Sequence, residues 1–413
     1  MLVAFGMNEL VPLLYYPRLD QVRLTGHAQC RRFSGDEDDE EDDSFSSDLE
    51  LTADGPRWTG YALTELIRPS WLLADYTLRN LEKTQHLGRP AYLVEAIPRG
   101  TGGNQVSAVV DAATGILLRY EITDGGGDVV TTEFTDLVVE GEPSDLAGAR
   151  ISDQVLNLLY RTELGPPKFS ALLHEWMDQD AQVKISGRLM VESSESKLIQ
   201  RLGRFAASQT MEQVSLDARI SVAVPGRYRI DFGADRAPKA QGTVCDGERL
   251  WKVYSDRVAV RKAKPLPEGL SRLADLSWLL NEFELTSAGP GTWGGRDTVL
   301  LSAEPGDAWE GGRPPLSTMP VTATRIETVV DAELGIALSQ RWLFDDRLVL
   351  RTELTDVTTD LDDDAFRYEA PPGVRVLVDP SPFAEAGVTP GMAARQAASK
   401  LLTGFARRLG GDR

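Results

Sequence analysis

Ser70-Trp71-Leu72-Leu73 returns 207 positions later as Ser277-Trp278-Leu279-Leu280, and more follows in the same register. Asp75-Tyr76-Thr77-Leu78 is echoed by Glu282-Phe283-Glu284-Leu285, Gly88-Arg89 by Gly295-Arg296, and Ala96-Ile97-Pro98 by Ala303-Glu304-Pro305. At an offset of 220, Val109-Val110-Asp111-Ala112 matches Val329-Val330-Asp331-Ala332 and Gly115-Ile116 matches Gly335-Ile336. The segment 132–137 likewise matches 352–357, so copy two gains 13 residues in the Gly/Pro-rich stretch 306–320. Earlier, Val22-Arg23-Leu24-Thr25-Gly26 parallels Val183-Lys184-Ile185-Ser186-Gly187 at an offset of 161, so copy one is shorter by about 46 residues before Trp71. Several matches in one order imply an internal duplication. The expected division is copy one over 1–148 with an acidic loop at 35–50, copy two over 151–378, and a linker with a basic helix over 379–413.

Length agrees with two domains, since 413 residues exceed one ordinary core. Apolar residues make up 42%, enough for packed interiors, and no run of about 18 apolar residues offers a membrane span. The net charge of −19 repels phosphates and anionic lipid, which argues against a nucleic-acid function for the body of the chain. The N-terminal stretch has no basic start, and Glu9 and Pro12 interrupt its apolar residues, so as written it predicts a cytoplasmic protein. A start codon assigned in the wrong place would make it extracytoplasmic. Cys30 and Cys245 have no metal-ligand spacing, and His27, His86 and His174 are scattered, so neither a metal nor a cofactor is expected.

The repeated blocks read as strands. Val22, Leu24, Gly26, Ala28 and Cys30 alternate with polar neighbours, as do Val183, Ile185, Gly187, Leu189 and Val191. Asp246-Gly247 marks a hairpin, and 112–115, 124–127, 332–335 and 345–346 are turns. Phe169, Leu172, Leu173 and Trp176 fall at helical spacing, which predicts a helix over 168–178 opening copy two, with 8–14 as its counterpart. The Ser-Trp-Leu-Leu segments predict short helical turns leading into strands. The fold class expected is α+β, mainly β: two tandem curved antiparallel sheets, each with an N-terminal helix and a short apolar lid.

The run from Arg68 to Arg99, then 109–121 and 129–137, resembles the lipoprotein-carrier superfamily, which includes outer-membrane lipoprotein chaperones, mycobacterial lipid-carrying lipoproteins and sigma-factor regulators. The segment 365–376, in which aromatic residues run into Pro-Pro-Gly-Val, resembles the closing strand of that fold. The resemblance covers roughly 20–145 and 165–378 and implies half-barrels that shelter acyl chains or a hydrophobic segment. It places Trp71, Leu72, Leu73, Trp278, Leu279, Leu280 and Phe283 at the lid or cavity.

Three other features invite a site and have plainer readings. The eight carboxylates at 36–43 lack the alternating ligands and glycine of a calcium loop and read as a solvated loop or as a docking segment for a basic partner. The tail 389–409 reads as an amphipathic helix with an apolar stripe including Leu401, Leu402 and Phe405 and a basic side of Arg395, Lys400, Arg407 and Arg408, suited to a membrane surface, a partner or its own domain. His174 and Asp178 stand one helical turn apart without a nucleophile, and the glycines at 100–103 precede a strand, so they form no phosphate cradle.

The reading is therefore a non-enzymatic protein that shelters an acyl chain or apolar segment. Its alternative is a regulatory or scaffold protein that docks a protein partner and fills its own cavities. Copy two, with the longer first half, is expected to hold the better-formed cavity.

Overall fold

The computed structural model describes residues 6–19, 22–33, 44–52, 55–99, 103–141, 151–162, 164–179, 181, 213–232, 241–306 and 321–380. The acidic run 36–43, the strand expected at 183–191, the loop 307–320 and the basic tail with Arg395, Lys400, Leu401, Leu402, Phe405, Arg407 and Arg408 lie outside them. The protein is mainly β, with two large sheets that do not close into a barrel; among the described residues the strand pairs are antiparallel but for β14 (Arg257–Lys262) and the last strand. The chain divides into two compact units. Unit 1 comprises 1–167, 174–216 and 267–355, and unit 2 comprises 168–173, 217–266 and 356–413. This partition differs from the copy boundaries of the repeat: unit 1 takes in all of copy one together with 151–167, 174–216 and 267–355 of copy two.

In unit 1, helix α1 (Met7–Tyr15) leads into β1 (Arg23–Phe33), β2 (Ser44–Thr52) and β3 (Gly55–Gly60). Two short helices, α2 (Thr64–Ile67) and α3 (Trp71–Asp75), precede β4 (Tyr76–His86), β5 (Arg89–Pro98), β6 (Gln105–Asp111), β7 (Leu117–Thr123) and β8 (Val129–Glu140). These strands form one sheet in the order β3-β2-β1-β8-β7-β6-β5-β4. Helix α4 (Asp153–Tyr160) and strand β9 (Lys168–Asp178) follow. Unit 1 resumes with α5 (Glu268–Ala274), α6 (Leu279–Glu282), β15 (Phe283–Trp293), β16 (Arg296–Pro305), β17 (Arg325–Asp331), β18 (Ala337–Phe344) and β19 (Arg347–Thr358), hydrogen-bonded in sequence order.

Unit 2 holds the first part of β9, then β10 (Gln213–Ala223), β11 (Arg227–Phe232), β12 (Gly242–Asp246), β13 (Arg249–Val253), β14 (Arg257–Lys262) and β20 (Arg375–Val378). The expected hairpin at Asp246 is β12–β13, where the Asp246 carboxylate accepts the amides of Glu248 (2.8 Å) and Arg249 (2.7 Å). Asp363 ties unit 2 to itself through Lys168 (3.1 Å) and Arg227 (3.2 Å), and the Arg227 guanidinium lies over the buried Phe366 ring.

Two expectations need correction. Residues 168–178 form a strand, not a helix. Phe169, Ala171, Leu173, Glu175 and Met177 are all buried on one side of the strand, and the spacing that suggested a helix arises because positions 172 and 176 on the other side are also apolar. The helix that opens copy two is α4. Ser152 caps it by accepting the Val155 amide, and Arg161 ends it in the left-handed region at φ 63°. The second correction concerns the closing strand. Asp363–Phe366 is a 3-10 turn, and the strand starts only at Arg375, pairing in parallel with β14.

Element order offers a second alignment of the early segments. β1 follows α1 and pairs with β8, and β9 follows α4 and neighbours β19. Leu13-Leu14-Tyr15 closes α1 and Leu158-Leu159-Tyr160 closes α4, which aligns these segments at an offset of 145, while the segment matched at 161 lies outside the described residues. The surplus residues of copy two then fall between β9 and α5.

Candidate functional site

The repeated residues build the same local devices twice inside unit 1. Asp111, fully buried at the end of β6, accepts the amides of Ala113 (3.1 Å) and Thr114 (2.8 Å), and Arg89 grips it with two nitrogens at 2.5 and 3.2 Å. Asp331, equally buried, accepts the amides of Glu333 (2.9 Å) and Leu334 (2.8 Å) and is held by Arg296. A buried carboxylate is tolerated because its oxygens are occupied by charge-assisted bonds. Each lock fixes a turn whose glycine has positive φ, 82° at Gly115 and 61° at Gly335. A Cβ at Gly115 would sit 2.4 Å from the Leu13 carbonyl, so the turn admits α1 only because it lacks a side chain. Even the ladder irregularity repeats, between Val109 and Val110 and between Val329 and Val330.

The lid segments obey the same rule. Trp71 donates its indole N–H to the Glu65 carbonyl at 3.4 Å, and Trp278 to the Arg272 carbonyl at 3.0 Å. Each ring meets the aromatic residue that starts the next strand edge-on, Tyr76 at 5.8 Å and Phe283 at 5.5 Å. Trp278 is further enclosed by Trp342 at 6.4 Å and by the Arg272 guanidinium at 4.4 Å, and Arg272 in turn binds both oxygens of Glu282 at 2.9 and 3.0 Å. Burial raises the Glu282 pKa above the usual carboxylate range, against the opposing pull of Arg272. Burial also pushes the Tyr120 hydroxyl, beside Trp71, up to about 12.

The structure brings the two lid segments together. α3 packs on α6, with Ser277 Oγ donating to the Ala74 carbonyl at 3.3 Å. Leu72, Leu73, Leu279 and Leu280 are at most 1% exposed; Phe283 and Trp278 are buried and Trp71 half-buried. The opening helices are exchanged as well: the Tyr15 hydroxyl of α1 reaches the backbone of Phe283 and Leu285, and the Tyr160 hydroxyl of α4 reaches that of Tyr76 and Leu78. α1 and α4 pack on each other, and Asn157 bridges them by donating to the Asn8 carbonyl at 2.9 Å. His174 and Asp178, on β9, contact the sheet through Thr355 (3.1 Å) and Arg347 (2.6 Å) respectively. Cys30 and Cys245 are buried free thiols.

A cleft of about 920 Å³ opens beside this helical layer, and none of the seven lid or cavity candidates lines it. One wall is α4, with Gln154, Val155 and Leu158, and the facing wall is the edge strand β15, with 288–291. Val299 and Thr298 of β16 complete it, and apart from Asn8 every lining residue belongs to copy two. The Ala288-Gly289-Pro290-Gly291 run leaves the space: a Cβ at Gly289 would meet nothing within 4 Å. The Thr298 hydroxyl, on a residue 3% exposed, has no hydrogen-bond partner among the described residues. Among the described residues, Asp297 is the only charged one in the lining. The cleft thus combines ligand-sized volume with small, largely apolar walls. The sequence signal for it was the Gly-Pro-Gly run inside a strand, which marks a close approach or an unfilled face.

No family model matches the chain, and no curated protein matches it. Solved structures similar to it include the MucA/MucB complex of Pseudomonas aeruginosa, at 12% identity over 86% of this chain and 99% of that one, with a TM-score of 0.24. A LolA-superfamily protein from Nitrosomonas europaea matches at 9% identity over 52% of this chain and 96% of its own, with a TM-score of 0.23. An uncharacterized conserved protein from Thermus thermophilus matches at 11% identity over 55% and 97%, with a TM-score of 0.28.

Proposed function

We propose that this is a non-catalytic binding protein whose cleft between α4 and β15 shelters an acyl chain or an apolar protein segment. The carrying observation is the cleft itself: about 920 Å³ bounded by Val155, Leu158, Pro290 and Val299, beside a glycine with free space over it. An extended apolar chain buried there gains about 25 cal/mol for each Å² removed from water, enough for useful affinity without any catalytic group.

The test is displacement of a fluorescent fatty acid from the full chain. Gly289→Phe fills the cleft without meeting a neighbour at its Cβ, and should weaken the probe at least about tenfold while leaving thermal stability unchanged. Equal binding by the two proteins sinks the cleft as the site. Native mass spectrometry of gently purified protein provides the second readout, a bound lipid mass that Gly289→Phe lacks.

A second reading, a docking protein for a protein partner, draws support from the burial of the lid segments against each other, which fills the space where a half-barrel ligand was expected.

A further inference from the structure

Four residues of the cleft stand on one face of the β15–β16 hairpin. The register pairs Ala288 with Leu301, Pro290 with Val299 and Thr292 with Asp297. Directly opposed residues share a face of a sheet, as do residues two apart along a strand. Asp297 is therefore on the side of Val299, Pro290 and Ala288, and all four line the cleft. Three of them form an apolar wall, and Asp297 sets a carboxylate at its exposed rim.

The charge of this carboxylate is unspent. It has no ion pair or side-chain hydrogen bond among the described residues, and its neighbour Arg296 is committed to Asp331 and Glu333. The polar residues of the opposite wall, Asn8, Ser152, Gln154 and Asn157, are neutral. The first turn of α4 also borders the cleft, and a helix N-terminus favours an anion. Here Ser152 already accepts the Val155 amide at 3.4 Å, and Asp153 sets its own negative charge against the dipole. A ligand head at this rim thus meets one free negative charge, which attracts a cation and repels a carboxylate.

The wall itself bears on the rest of the ligand. β15 is the edge of its sheet, and Pro290 brings no N–H, so a peptide laid along it finds no continuous ladder for its backbone. A hydrocarbon chain makes no such demand.

We infer that the cleft selects an amphiphile with a hydrocarbon chain and a cationic head, the chain lying on Val299, Pro290 and Leu158 and the head pairing with Asp297. This rests on the cleft being the binding site and adds which end group it accepts.

The experiment is displacement of N-phenyl-1-naphthylamine, a neutral fluorescent probe, from the full chain at neutral pH by decylammonium, decanol and decanoate. Decylammonium should displace the probe at about tenfold lower concentration than decanoate, with decanol between them. Asp297→Asn should bring the two charged chains within about twofold of each other and leave decanol unchanged. Asp136→Asn, at an exposed carboxylate on β8 that takes no part in the cleft, removes the same unit of net charge and should keep the full gap. In the unaltered chain about 0.5 M salt should narrow the gap, a readout that needs no variant to fold. A gap as wide in Asp297→Asn as in the unaltered chain would assign the preference to the net charge of −19 and overturn the inference. Equal displacement by the three compounds, or a gap indifferent to salt, would overturn it while leaving the cleft as a site. Failure of all three to displace the probe would overturn the inference together with the reading beneath it.

Discussion

Tyr160, the last residue of the helix that opens copy two, accepts the amide of Leu78 in copy one at 2.6 Å. Its hydroxyl also donates to the Tyr76 carbonyl at 3.2 Å. Tyr15, at the same place in α1, returns the gesture, accepting the Leu285 amide at 3.1 Å. Each opening helix thus lies against the turn of its own copy and pins the strand that follows the lid segment of the other, β15 for α1 and β4 for α4. Tyr160→Phe leaves the buried Leu78 amide without an acceptor and should cost about 1–3 kcal/mol of unit 1 stability, and Tyr15→Phe a similar amount. Urea denaturation of the single and double variants is the measurement; transitions identical to that of the unaltered chain would show that the exchange is ornamental.

The Arg–Asp turn locks make a sharper demand. Asp331→Ala strips the amides of Glu333 and Leu334 of their acceptor and leaves Arg296 without its buried partner. A loss of about 3–5 kcal/mol is expected, with a similar loss for Asp111→Ala. Circular dichroism melts check this, and losses near zero would mean that the turns form without the lock.

Trp71 and Trp278 occupy matching positions with unequal surroundings. Trp278 is 8% exposed, stacked on Trp342 and capped by Arg272, whereas Trp71 is half-buried. Trp278→Ala should cost about 3–5 kcal/mol and Trp71→Ala clearly less. If the two substitutions proved equal, the environment drawn around Trp278 would be wrong.

Glu282 gives a pH dependence with a definite sign. Burial raises its folded pKa above the unfolded value, so the native state binds more protons there than the unfolded chain does. Its contribution is fully present below the unfolded pKa and is lost as pH rises through the folded one. Glu282→Gln should therefore show a smaller fall in melting temperature than the unaltered chain across the range just above ordinary carboxylate titration. Parallel pH profiles for the two proteins would remove Glu282 as the source.

Much of this architecture was legible in the chain. Asp111, Arg89 and Gly115 recur with their partners because a buried carboxylate turn needs all three, and period-two alternation located most strands. The misreading at 168–178 has a physical origin: β9 carries apolar residues on both faces, so its pattern satisfies two periods at once. The true helix announced itself through Ser152 as a cap and through the Leu-Leu-Tyr shared by α1 and α4. Comparison of the copies at the offset of 161 passes over that shared triplet.

By itself the sequence determined the strand-rich class, the repeated turns and the apolar character of the Ser-Trp-Leu-Leu segments, because these depend on periodicity and on residues within a few positions of one another. Only the tertiary structure decided what those segments face. The leucines of α3 and α6 bury one another, Tyr15 and Tyr160 trade strands, and the open volume lies instead over Gly289, since which apolar faces meet is settled by packing between residues about 200 positions apart.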